Sequence, residues 1–324
     1  MTGLQRDAAD FLDALRTRNY AKATITGREF ALRHFAVWCE ERSLLRSQDI
    51  TRPILERYQH HLFVRRKANG QPLSWTSQSG QLVTLRLFFR WLMRSGRIEA
   101  NPASELELPR QPQRLPRDVL TADEVEQVLA QANVLQPLGL RDRAIMEVLY
   151  STGMRRTEVT RLVVWDVDAS RQTLFIREGK GRKDRVVPLG ERALFWLDRY
   201  RSEVRPLLLW ERGEEHLFLS MRGEPLDADS IGSTIAAYIE KAQLGKRGGC
   251  HLFRHTCATL MLEGGADIRF IQAMLGHAKL ETTAIYTRVA ISKLRQVHAA
   301  THPGARLPAT ATAETATATT AETA

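Results

Sequence analysis

Six side chains spread between residues 155 and 286 have types that can handle a phosphate: Arg155, Lys180, His251, Arg254, His277 and Tyr286. A guanidinium offers paired, planar N–H donors that match two oxygens of a phosphate, which an ammonium cannot imitate. A phenol, with an ordinary pKa of about 10, attacks only when something takes its proton. Imidazoles and ammonium groups can carry protons to and from reacting oxygens. Singly, each of the six also has a plain structural explanation. Arg155 follows a glycine turn, where arginine is usually a solvated surface residue. Lys180 sits in GKGRKDR, a sequence suited to a surface loop. His251 and Arg254 lie three apart at a helix start, where capping and ion pairing are common. His277 follows Leu275-Gly276 and suits a helix C-terminus, where the dipole favours a partly cationic imidazole. Tyr286 is one of six tyrosines.

The elements that must position these groups fall into two regions. The first hundred residues read as helices. Phe11, Leu12 and Leu15 mark one between Asp7 and Arg18, and Leu55, Tyr58, Leu62 and Phe63 mark another between Ile54 and Val64. Leu32, Phe35, Ala36 and Cys39 fall at i, i+3, i+4, i+7, and Leu85, Phe88, Phe89 and Leu92 repeat the pattern between Ser77 and Ser95. Four or five helices in so short a span predict a compact helical domain over 1–100. NPASELELPRQPQRLP carries four prolines, which predicts an extended linker over 101–118. Thr121 with Glu124 three residues on is a capping box that opens a mixed second domain over 119–300. There Arg141–Tyr150 and Arg156–Leu162 read as helices flanking a break at Gly153. TLFIR (173–177) and RVVPL (185–189) read as short strands joined through GKG. Helices return from Glu191, and Asp267 caps one that Gly276 stops. The Ala/Thr/Glu tail over 301–324 has too little apolar surface to fold and is expected to be disordered.

Lys and Arg number 47 against 37 Asp and Glu, a net charge of +10. Such an excess points to a polyanionic partner, because each cation placed on a phosphate releases condensed counterions. Cys39, Cys250 and Cys257 are three and form no C-x-x-C pair, which predicts reduced thiols in a cytoplasmic protein rather than disulfides or zinc. The first twenty residues lack the apolar core of a signal peptide, and no stretch approaches the ~18 apolar residues of a membrane span.

Taken together, TGMRRTEV, GKGRKDRVVPLG, CHLFRHTCATLML and LGHAKLETTAIYT resemble the catalytic domain of tyrosine site-specific recombinases, the phage integrase family, and its Xer-like members in particular. The likeness runs from about Thr121 to Ala300, and the N-terminal helices are similar to the family's core-binding domain. The family order of Arg, Lys, His-x-x-Arg, His and Tyr falls on Arg155, Lys180, His251 with Arg254, His277 and Tyr286. Lys183 lies near enough to be the alternative for the hairpin lysine. Arg156 stands where the family more often has a small or apolar residue.

The resemblance implies a mainly α fold with a small β-sheet, a SAM-like core-binding domain preceding a mixed α/β catalytic domain. It implies an enzyme that cuts and rejoins DNA strands through a 3′-phosphotyrosyl link, in integration, excision or dimer resolution. Arg155 and Arg254 would clamp the nonbridging oxygens, with His277 as a further donor. Tyr286 would attack, and His251, or alternatively His277, would take its proton. Lys180 would protonate the departing 5′-oxygen. No metal, cofactor or ATP is called for. The implied partners are double-stranded DNA and further recombinase copies, as a homo-tetramer or a hetero-tetramer with a second recombinase, with no membrane. A C-terminal helix over roughly Ser292 to Ala299 would dock on a neighbouring protomer; its Leu294 and Val297 suit such docking and packing within their own chain equally well. Two other readings are a type IB topoisomerase-like enzyme and a catalytically silent DNA-binding accessory protein.

Overall fold

A computed structural model describes residues 2–110, 118–177 and 184–277. The chain divides into two units, Met1–Gln113 and Arg114–Ala324, each with its own core.

The first unit is built from four helices: α1 (Gly3–Thr17), α2 (Lys22–Glu40), α3 (Arg52–Val64) and α4 (Trp75–Arg94). Local chemistry sets where they begin. Thr2 and Gln5 exchange side-chain-to-backbone hydrogen bonds at the head of α1, and Ser74 accepts from the Ser77 amide at the head of α4. Pro53, in the first turn of α3, occupies a position whose N–H has no helical partner. The apolar stripes then meet in a core where Phe35 sets its ring edge-on against Tyr58 and Phe89, and Phe11 against Phe88. This packing runs past residue 100, where the sequence predicts a linker. Ala103 and Leu106 are fully buried against the same core, and Gln59 donates to the Glu107 carbonyl. Two apolar side chains spaced to reach the core outweigh the extended bias of the surrounding prolines. Residues 111–117 lie outside the described residues.

In the second unit Thr121 caps α5 (Ala122–Leu129) through the capping box. α6 (Pro137–Thr152) is buried along most of its length and forms the centre of the unit. It begins four residues before the expected start, at Pro137. The short α7 (Arg156–Val159) ends well before Leu162, and the chain then turns through a 3₁₀ segment, Val164–Asp166. A three-stranded antiparallel sheet follows, β1 (Val167–Asp168), β2 (Thr173–Ile176) and β3 (Arg185–Pro188), in the order β1-β2-β3. Its register pairs Ile176 with Arg185 and Leu174 with Val187. The two-residue β1 was too short for a periodicity to show. α8 (Glu191–Arg199) continues through a π-helical turn, Tyr200–Val204, into α9 (Arg205–Leu208). α10 (Ala228–Lys241), α11 (Cys250–Glu263) and α12 (Ile268–Leu275) complete the described residues. The residues expected to form the GKG turn, a helix over 292–299 and the tail over 301–324 lie outside them.

Gly153 is the joint on which the site depends. It ends α6 in the left-handed conformation, φ +58°, and a Cβ there would stand 2.6 Å from Leu275 Cδ2 on α12. Both its backbone and its lack of a side chain let α6 close onto α11 and α12. Gly153→Ala is expected to cost about 1–3 kcal/mol, read as a lowered thermal unfolding midpoint. An unchanged midpoint would mean that the α6–α12 junction yields without strain.

Candidate active site

α11 carries Arg254 on its inner face, only 4% exposed. A buried guanidinium needs acceptors for its N–H groups. Nη1 donates to the Gly153 carbonyl at 2.7 Å, and Nη2 donates to the Leu275 carbonyl at 2.8 Å. Nη2 also lies 2.7 Å from His277 Nε2. Because a guanidinium only donates, Nε2 accepts there and the ring proton sits on Nδ1. His277 itself is set by the end of α12. Gly276 takes the left-handed conformation, φ +64°, and the His277 amide reaches back to the Gln272 carbonyl at 3.1 Å, closing the helix as a Schellman turn.

Arg155, the residue just before α7, is half-buried rather than solvated. Its Nη1 donates to Glu158 Oε1 at 2.9 Å, and its Nη2 donates to the Gly276 carbonyl at 3.2 Å, 121 residues along the chain. Arg155 and Arg254 therefore bind successive carbonyls, 276 and 275, at one helix end. The orphan carbonyls of that C-terminus carry partial negative charge, which draws cations to the spot. The fold thus brings Arg155, Arg254 and His277 into one cluster. His251 stands in the first turn of α11, on its exposed side. Lys180 and Tyr286 lie outside the described residues.

Enough protein surrounds the His251 ring that loss of hydration, followed by the charges of Arg254, Arg156 and Arg155, lowers its pKa from 6.5. At neutral pH the imidazole is therefore uncharged, the form that can accept a proton. His255, one turn along, is lowered too, chiefly by burial. A depressed pKa means the unfolded chain binds more protons just below pH 6.5, so this contribution to stability is present above 6.5 and lost as pH falls through the folded value. Imidazole resonances of the DNA-free protein, followed by NMR, should place both midpoints below 6.5. A His251 midpoint above 6.5 would show that neither lost hydration nor the nearby arginines govern it.

Two other residues organise this cluster and were not singled out from the sequence. Glu158, 4% exposed, receives the Arg155 backbone amide at 2.8 Å as well as its side chain. Arg185, the first residue of β3, also binds Glu158. Their only sequence signal was a glutamate three residues after Arg155, the spacing of a capping side chain. Among the described residues no group of His, Cys, Asp and Glu is arranged to hold a metal ion, and no helix is long and apolar enough to cross a membrane.

Residues 118–293 match the phage integrase family, and residues 8–96 match the N-terminal SAM-like domain of phage integrases. The tyrosine recombinase XerC 2 of Ralstonia nicotianae is 53% identical over 292 residues, spanning 90% of this chain and 84% of that relative. The chain belongs to the tyrosine recombinases of the phage integrase family. A second relative, the tyrosine recombinase XerD of Pseudomonas aeruginosa, is 38% identical over 306 residues, covering 94% of this chain and 99% of the relative. The fold is shared with the XerH site-specific recombinase in a post-cleavage complex with its palindromic difH substrate. That likeness has a TM-score of 0.69 at 23% identity and covers 87% of this chain and 81% of the other. The recombinase is accordingly mainly helical, with a SAM-like helical domain ahead of an integrase-type domain that holds the small sheet.

Proposed function

We propose that this recombinase cuts and rejoins duplex DNA at a specific site, with its catalytic residues distributed as the motif order implies. The observation that carries the reading is the convergence of Arg155 and Arg254 on adjacent carbonyls beside His277. Two guanidiniums so placed can share the nonbridging oxygens of one phosphate, whose pentacoordinate transition state gains negative charge. Tyr286 Oη attacks phosphorus, its proton passes to a histidine, and the P–O5′ bond breaks as Lys180 protonates the 5′-oxygen. The product is a 3′-phosphotyrosyl link and a free 5′-hydroxyl. Reversal with another strand's 5′-hydroxyl rejoins DNA without an external energy source.

His251 is favoured over His277 as the base. The Nε2 lone pair of His277 already accepts from Arg254, and its Nδ1 carries the proton, which makes it a donor toward phosphate. The lowered pKa of His251 leaves an uncharged acceptor in the same neighbourhood. In this reading the protein works in the cytoplasm as a tetramer on two synapsed DNA sites, composed of one chain or of two related ones. The clamp geometry is equally suited to a type IB topoisomerase. The match of residues 8–96 to the SAM-like domain of phage integrases favours recombination.

A duplex selected from a random library by binding supplies the substrate. Incubated in excess chelator, the protein should form a covalent adduct with it, and two copies of the site on one plasmid should exchange strands. An adduct with supercoil relaxation but no exchange would establish the topoisomerase reading. Binding with no adduct would leave an accessory protein.

A further inference from the structure

Glu158 poses an electrostatic problem for a phosphate clamp. Its buried carboxylate bonds Arg155 twice, through the backbone amide and Nη1. A carboxylate held this close would cancel the cation that the phosphate is meant to meet. Arg185 changes the balance. It grips both Glu158 oxygens, Nη1 on Oε1 at 3.0 Å and Nη2 on Oε2 at 2.7 Å, from 27 residues away on β3. Its Nε donates to the Met274 carbonyl at 2.9 Å. Three arginines thus hold three successive carbonyls, 274, 275 and 276, at the end of α12. The plane of Arg185 also lies against Gly276, where an added Cβ would come within 3.1 to 3.2 Å of Nη1, Cζ and Nε.

We propose that Arg185 is a positioning residue of the recombinase that neutralises Glu158, so that Arg155 keeps its positive charge for the DNA phosphate. Two guanidiniums against one carboxylate leave one net positive charge in the group. The bidentate fork of Arg185 takes the carboxylate's charge, while Arg155 touches one oxygen through a single side-chain nitrogen. The direction of the Glu158 pKa agrees. Burial pushes it up, but the hydrogen bonds from Arg185, then that of the Arg155 amide, bring the net shift below the ordinary value. Glu158 is thus ionised at neutral pH and in need of a counter-charge. Arg185 acts on the reaction through Glu158 and Arg155 and is itself distinct from the clamp.

This inference rests on Arg155 being a phosphate clamp, and the test separates the two claims. Cleavage is measured in single turnover on the library-selected duplex, with either a phosphodiester or an uncharged methylphosphonate at the cleaved position. Arg185→Gln should slow phosphodiester cleavage by on the order of a hundredfold, the scale of losing one anion-stabilising group. On the methylphosphonate, which lacks the nonbridging charge, its deficit should shrink to about tenfold or less. Arg185→Gln with Glu158→Gln replaces the ion pair by a neutral hydrogen-bonded pair. That double variant should cleave the phosphodiester faster than Arg185→Gln alone, since removing the carboxylate returns the charge of Arg155. Its thermal midpoint controls for folding. An equal deficit on both substrates, or a well-folded double variant no faster than the single one, would reduce Arg185 to a structural tie and overturn the proposal. Arg155→Ala is the control for the underlying reading. If the methylphosphonate fails to lessen its deficit, Arg155 is not the clamp and the proposal falls with it.

Discussion

Tyr286→Phe should bind its DNA site with unchanged affinity and form no covalent adduct, a loss on the order of 10⁴ or more in cleavage. The substitution removes one oxygen, the atom proposed to attack phosphorus. Other tyrosines are poor substitutes. The Tyr200 hydroxyl lies buried and accepts from the Leu219 amide at 3.1 Å, and burial pushes its pKa up to about 12. Tyr238 donates to Asp142 at 3.1 Å, and burial followed by that carboxylate pushes its pKa up to about 12 as well. Both phenols are held in hydrogen bonds within the protein and give up their protons less readily than an ordinary tyrosine. Binding is read by mobility shift and the adduct by a denaturing gel. An adduct that persists in the Phe variant would move the nucleophile to another residue.

Lys180→Ala should slow cleavage by roughly 10²–10⁴, the usual contribution of a general acid. Sulfur in place of the bridging 5′-oxygen should restore most of that loss. An alkoxide is about as basic as hydroxide, whose parent water has a pKa of ~15.7, so it leaves poorly without a proton. A thiolate, with a parent pKa of about 8.5, departs unaided. The same substrate should not rescue Arg155→Ala, because the nonbridging oxygens that Arg155 is proposed to hold are unchanged by the sulfur. Rescue of Lys183→Ala instead would move the acid three residues along the chain. Rescue of the arginine variant would mean that the roles of acid and clamp are exchanged.

What the sequence determined by itself was local. The Thr121–Glu124 capping box, the Asp267 cap, the Gly276 stop and the 3.6-residue stripes of α2 and α4 all stand where the residues called for them. Each depends on groups no more than about one turn apart, so the neighbouring residues suffice. The order in which the six candidate side chains follow one another was likewise readable, because the motifs are short strings. Only the tertiary structure decided what the described ones among them face. Arg155, read singly as a surface residue, is tied to a carbonyl 121 residues away. Glu158 and Arg185 carry no chemistry that a spacing reveals, and their pairing exists only because β3 packs beside α7 and the end of α12. Ala103 and Leu106 fold back onto the first core although proline surrounds them. Contacts of this kind are made by packing, in which burial of apolar surface and the need to satisfy every buried polar group select among many locally acceptable arrangements. Local propensity names the helices, and burial decides which charges meet.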